Sequence, residues 1–151
     1  MGYSDELWAR HEPIWRAVHD HPFVSGIGDG SLPVERFRYY VEQDYVFLLE
    51  YSRVLALAVA KGGALPSMAR FAELLHATLN VEMALHRGYA GRFGIAEDAL
   101  ARVVAAPTTY AYTRHLLATA YAGSLAEIFH LSARYEWAFW EMSWQMEQWP
   151  V

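Results

Sequence analysis

Along most of the chain, apolar residues recur at alternating spacings of three and four, the repeat of a helix with one face turned inward. Between about Pro33 and Lys61, Tyr40, Asp44, Phe47, Tyr51, Val54 and Ala58 fall on one such stripe, with Leu55, Leu57 and Val59 widening it. A long helix is predicted there, and it carries a carboxylate, Asp44, on a line fit for burial. The arrangement returns from Leu125 to about Trp149, where Ser132, Glu136, Phe139, Ser143 and Met146 share a line. We read these two helices as facing each other across a ligand pocket.

The remaining pattern predicts three more helices. Leu7, Trp8, Ile14, Trp15 and Val18 mark a first helix from an N-cap at Ser4 to about Asp20, kinked at Pro13. Three glycines and two prolines then predict a loop over 21–33. A helix from about Ser67 to Phe93, stopped by Gly94, turns Leu75, Leu79, Glu82, His86, Tyr89 and Phe93 inward. After a short turn over Glu97 to Val104, Pro107 opens a helix through about Ala122, with Tyr112, Leu116 and Ala120 on its stripe. Sustained period-two alternation is absent, so the fold class is all-α, and no linker or repeat divides residues 1–151.

Composition narrows the function. A chain of 151 residues with 54% hydrophobic and 15% aromatic residues suits one folded domain rich in rings. A net charge of −5, with its 12 Lys and Arg scattered, supplies no basic field for nucleic acid. No apolar run reaches the roughly 20 residues of a membrane span. The start lacks a basic and an apolar leader region, so the expected location is cytoplasmic. With no cysteine, disulfides, thiolate metal sites and a cysteine nucleophile are excluded.

The candidate chemistry is an acid beside a ring, twice. Phe47 follows Asp44 by three residues and Phe139 follows Glu136 by three, so each phenyl lies beside its carboxylate on one helix face. Tyr51 extends the first face. Two rings from opposite helices can sandwich a flat heterocycle, while the carboxylates accept hydrogen bonds from its amino group and protonated ring nitrogen. The small Ser132 and Ser143 beside them leave room. The competing reading is that both acids are core groups paired with an arginine or a tyrosine hydroxyl.

Glu82 and His86, one turn apart, suit a buried hydrogen bond in which each group orients the other. A rival is a di-iron carboxylate site, because Glu73-Leu74-Leu75-His76 and Glu127-Ile128-Phe129-His130 both have the Glu-x-x-His form. Glu73 shares its face with Ala77, Asn80, Ala84 and Arg87, an outward face, so no metal site is expected. His19-Asp20-His21 reads as a solvated helix end. Gly26-Ile27-Gly28-Asp29-Gly30 follows no strand, which removes a dinucleotide reading.

His21-Pro22-Phe23, Gly28-Asp29-Gly30-Ser31-Leu32-Pro33, Phe37, Tyr40 and Glu42-Gln43-Asp44-Tyr45 together closely resemble the TenA family, the thiaminase II enzymes of heme-oxygenase-like helical fold. Glu82, His86 and Tyr112, and the run from Ala133 to Met142, are similar to further family positions. The resemblance implies that Phe47 and Phe139 stack a pyrimidine, that Asp44 binds its amino group and ring nitrogen, that Glu136 moves the proton, and that Tyr51 and Tyr112 line the slot. It implies hydrolysis of an aminomethyl-aminopyrimidine or of thiamin to hydroxymethyl-aminopyrimidine, in thiamin salvage, without a cofactor.

The chain departs from that pattern in one block. Helices carrying the family's cysteine and further tyrosines lie between the segment resembling Ala118 to Glu127 and the final helix, and here that block is missing. Some branches of the family use glutamate in place of the cysteine. A bundle that has lost helices exposes apolar stripes, which predicts a homo-oligomer, exchange of final helices included. Two functions follow, a pyrimidine-releasing hydrolase or a helical bundle that only binds an aminopyrimidine or serves as a scaffold.

Overall fold

The computed structural model describes residues 2–122 and 126–150, without the side chains of Tyr3, Ser4, Leu7 and residues 126–130. The expected cap at Ser4 therefore lies outside the described residues. Helices are α1 (Tyr3–Arg10), α2 (Glu12–His19), α3 (Pro22–Asp29), α4 (Val34–Lys61), α5 (Leu65–Ala77), α6 (Met83–Arg92), α7 (Glu97–Leu100), α8 (Pro107–Ala122) and α9 (Ala126–Gln145). A π-turn, Thr78–Glu82, joins α5 to α6. The described residues contain no strand, in keeping with an all-α bundle. None of their helices is long and apolar enough to cross a membrane.

The bundle is built round α4, whose 28 residues run about 42 Å at the usual helical rise. It packs against α5, α6, α8 and α9. On one side Tyr39 joins Ala106, Tyr112, Phe139 and Met142, and on the other Val41 joins Ala90, Ile95 and Leu100, with Tyr40 touching both clusters. Because partners enclose α4 on more than one side, full burial falls on Val41, Gln43, Leu48, Ser52 and Leu55. The predicted stripe from Tyr40 to Ala58 is half-buried instead. Gln43 fixes the chain leading into α8: its Nε2 donates to the Val104 carbonyl (3.1 Å), and its Oε1 accepts from the Ala106 N–H (2.8 Å) and the Thr109 hydroxyl (3.0 Å).

The structure corrects five expectations. The first helix breaks at His11 into α1 and α2, with Pro13 in the first turn of α2, and Trp8 stacks on Trp15 at 4.8 Å. The expected loop over 21–33 contains α3: Pro22 occupies its first turn, and His21 Nδ1 accepts the Phe23 N–H at 3.1 Å. Gly30 ends it at φ +79°, a conformation in which glycine carries no Cβ penalty. His21, expected in solvent, is 3% exposed and joins Glu141 Oε2 at 3.0 Å. At the far end α9 stops at Gln145 rather than Trp149, with Met146 at φ +51° and exposed. The tail then folds back, where Trp149 Nε1 donates to the Ala105 carbonyl at 2.9 Å.

The fifth correction bears on the site. On the predicted inner line His86 is buried and Leu75, Tyr89 and Phe93 are half-buried, but Leu79 and Glu82 are exposed, and Thr78, Met83 and Ala90 are buried beside them. In an unbroken α-helix, residues eight apart differ by about 80° in direction. The extra residue in the π-turn removes most of that offset, so Thr78 and His86 both face α4.

Candidate functional site

Three elements bring the candidate residues together: α4 supplies Tyr40, Asp44, Phe47 and Tyr51, α8 supplies Tyr112, and α9 supplies Tyr135, Glu136 and Phe139. Below them α6 presents His86, whose Nε2 lies 2.6 Å from Asp44 Oδ2, both side chains being almost enclosed at 10% and 14% exposure. The Tyr40 hydroxyl donates to the same oxygen at 3.4 Å. Tyr112 donates to Glu136 Oε1, and its ring stacks on Tyr135 at 5.1 Å and 9°.

The expected partnership within the third helical stretch takes another form. Glu82 is exposed, and His86 Nδ1 bonds to its backbone carbonyl at 2.9 Å rather than to its carboxylate. The carboxylate that His86 meets is Asp44. Each of the two central acids has a tyrosine hydroxyl as partner, as the core-acid reading anticipated. Glu73 is exposed and paired with Arg70 at 3.0 Å, and the side chains of Glu127 and His130 lie outside the described residues.

Electrostatics separate the acids. Burial pushes the Glu136 carboxyl above its ordinary value; the Tyr112 hydrogen bond opposes this, and the charge of Asp44 adds to it. His86 is also raised: burial works against the imidazolium, but the hydrogen bond and charge of Asp44, with help from the Glu82 carbonyl and carboxylate, outweigh it. Burial, and the acid charges beside them, raise the hydroxyls of Tyr40, Tyr51 and Tyr112, which therefore stay protonated as donors. Glu136 is thus an acid that gives up its proton less readily than an ordinary carboxyl, beside an aspartate that meets an imidazole.

The rings do not form the expected open sandwich. Phe47 and Phe139 touch, with centroids 5.5 Å apart and planes at 59°, whereas a heterocycle stacked between parallel rings needs about 7 Å. Phe47 also stacks on Tyr51 (5.6 Å, 14°) and lies 5.1 Å from Tyr112. Ser143 is wholly buried, and its hydroxyl has no hydrogen-bond partner. Two sizeable grooves lie elsewhere. One of about 860 Å³ runs between α4 and α8 past Glu50, Arg53 and Tyr121, and one of about 600 Å³ runs between α2 and α9. The second reaches Tyr135, one stacked ring away from the phenol that holds Glu136.

Sequence reasoning left Tyr40, Tyr135 and Gln43 without a role. Tyr40 was visible as the stripe position one turn before Asp44, and Tyr135 as the neighbour of Glu136. Gln43 points to a different face from Asp44, which only the packing of the α7–α8 connection reveals.

Residues 8–150 match the model of the TENA/THI-4/PQQC family. A protein of Halalkalibacterium halodurans named aminopyrimidine aminohydrolase is 44% identical over 142 residues, which cover 94% of this chain and 63% of that one. One of Bacillus subtilis with the same name is 35% identical over 142 residues, covering 94% and 60%. The chain thus spans about three fifths of the length of these relatives. Among solved structures, a TenA family transcription regulator from a Silicibacter species superposes with a TM-score of 0.86 at 25% identity, covering 92% of this chain and 95% of that one. A TenA homologue from P. horikoshii gives 0.85 at 22%, covering 94% and 98%. On the match across residues 8–150, the chain belongs to the TENA/THI-4/PQQC family.

Proposed function

We propose that this chain is an aminopyrimidine aminohydrolase acting in thiamin salvage, and that Asp44 and Glu136 carry the reaction. The observation that supports it is the pairing of unlike acids: burial raises the Glu136 carboxyl above its ordinary value, and Asp44 is tied to His86 and Tyr40, within one ring-lined region. The names and identities of the Halalkalibacterium and Bacillus relatives support the same substrate class.

In this reading Asp44 accepts hydrogen bonds from the amino group and protonated ring nitrogen of the pyrimidine, while Phe47 and Phe139 hold its faces and Tyr51 and Tyr112 border it. Water attacks the methylene carbon attached to the ring, and the carbon–nitrogen bond breaks. Glu136 gives its proton to the departing amine, which leaves as ammonia, and recovers one from the attacking water. The products are hydroxymethyl-aminopyrimidine and ammonia, and no cysteine takes part, since the chain has none. Thiamin, with the thiazole as leaving group, is the second substrate of this reading.

Ammonia release from aminomethyl-aminopyrimidine, followed by a coupled assay, tests it. Glu136→Gln keeps the shape of the carboxyl but not its proton exchange, so turnover falls by about 10²–10⁴-fold while the pyrimidine still quenches tryptophan fluorescence. Quenching without turnover in the unsubstituted protein leaves a binding bundle, and neither signal leaves a scaffold. Self-association belongs to the same reading, because Leu65, Val81 and Leu85 are exposed at 77%, 65% and 56%. Light scattering that finds only monomer removes that part.

A further inference from the structure

The contacts of His86 determine where its protons are. A backbone carbonyl only accepts, so Nδ1, 2.9 Å from the Glu82 oxygen, carries a hydrogen. That leaves Nε2, 2.6 Å from Asp44 Oδ2, as the atom that decides the state of the pair. If Nε2 were bare, its lone pair would face a carboxylate oxygen at hydrogen-bond distance, which is repulsive. One proton must therefore lie between the two atoms.

The surroundings locate that proton. From α4 the Tyr40 hydroxyl donates to Asp44 Oδ2 and supports a negative charge there. From α9 Glu136 acts on Asp44, and from the end of the π-turn the exposed Glu82 carboxylate adds negative potential at the ring. The acids of α7 are turned elsewhere, Glu97 to Arg87 at 3.5 Å and Asp98 to Arg102 at 2.8 Å. Among these described groups no cation competes with the ring, and both acids that act on it, Asp44 and Glu82, favour an imidazolium.

We propose that His86 is a positioning residue for the pyrimidine site, an imidazolium that fixes one oxygen of Asp44 so that the other is aimed at the ligand's amino group. The π-turn Thr78–Glu82 serves this arrangement, because its extra residue turns His86 toward α4. When the pH rises far enough to strip the proton, Nε2 and Oδ2 repel at their present distance and Asp44 swings away. Affinity for the aminopyrimidine then falls. The proposal rests on the pyrimidine-binding reading above and adds the residue that makes binding depend on pH.

Two measurements on the whole chain test it. Nitrogen-15 spectra of the ligand-free protein, with His86 assigned by its loss in His86→Gln, are expected to show both ring nitrogens protonated at neutral pH. A bare Nε2 there overturns the proposal without reference to any ligand. Dissociation constants for hydroxymethyl-aminopyrimidine, from tryptophan quenching between about pH 5 and about pH 9, are then compared between the unsubstituted protein and His86→Gln. The glutamine amide donates to Asp44 at every pH, and the ligand's own protonation cancels in the ratio. The unsubstituted protein is expected to lose about tenfold in affinity relative to the variant over that range, the scale of one charge-assisted hydrogen bond. A ratio that stays constant, with binding intact, overturns the role of His86 alone. Absence of binding at every pH overturns the pyrimidine reading itself, and the role of His86 with it.

Discussion

Replacing Tyr112 with phenylalanine removes the hydroxyl that donates to a half-buried acid, Glu136. Tyr112 is 5% exposed and donates to Glu136 Oε1, so no solvent is positioned to replace the lost donor. A hydrogen bond to a charged group contributes about 1.5–3 kcal/mol and a neutral one about 0.5–1.5 kcal/mol. The cost of Tyr112→Phe therefore depends on whether Glu136 is ionised. In the fold its carboxyl is held above the ordinary 4.5, so the folded chain binds this proton more tightly than the unfolded chain does. Its contribution to stability is full below 4.5 and is lost as pH rises through the raised folded value. Tyr112→Phe deletes the one hydrogen bond that opposes this rise, which widens the window of loss. The expected cost is about 1 kcal/mol in acid, where Glu136 is neutral, and about 2 kcal/mol at high pH. Urea unfolding of both proteins, repeated at each pH, reads the difference. A cost that is equal at both ends, or larger in acid, would refute the reasoning.

Two further substitutions test the frame round the site. Gln43→Leu leaves the Val104 carbonyl and the Ala106 N–H without their partner and takes one bond from Thr109, so unfolding free energy drops by about 3–5 kcal/mol and the Ala106 amide exchanges faster; unchanged exchange at Ala106 contradicts it. Ser143→Ala removes a fully buried hydroxyl that has no hydrogen-bond partner, and stability rises by about 1 kcal/mol in the same assay, with any clear loss counting against the geometry at α9.

The helices with strong periodic stripes were legible in the sequence. α4 begins one residue from its expected start at Pro33, and α8 runs from Pro107 to Ala122 as its opening proline suggested. What escaped was decided by single contacts. α3 forms through glycines because the His21 ring caps it and Gly26 lets the chain return closely, a Cβ there meeting Leu32 at 3.2 Å. Glycine propensity predicts a loop, and the cap outweighs it. The π-turn has no signature in hydrophobic spacing, so Leu79 and Glu82 were placed inside and Thr78 was overlooked. The same turn decides that His86 meets Asp44 on another helix, a long-range partner that spacing along one helix cannot reveal.

The closed contact between Phe47 and Phe139 bears on how a ligand would enter. A ring pair of this kind contributes about 0.5–1.5 kcal/mol beyond the area it buries. One charge-assisted hydrogen bond to Asp44 offsets that, and stacking of the heterocycle replaces the lost ring contact. The separation needed, from 5.5 Å to about 7 Å, is small enough for side-chain rotation. Phe47 has a second support, since Tyr51 stacks on it at 14° and continues to hold its plane when Phe139 parts from it. Phe139 has Tyr40 and Trp140 edge-on at 6.4 Å and 6.2 Å. Each wall is thus braced by rings of its own, Phe47 by Tyr51 of α4 and Phe139 by Tyr40 of α4 and Trp140 of α9. On the proposed reading, the site opens by moving rings that are each already braced, so the acids Asp44 and Glu136 keep their partners while the heterocycle enters between the phenyls.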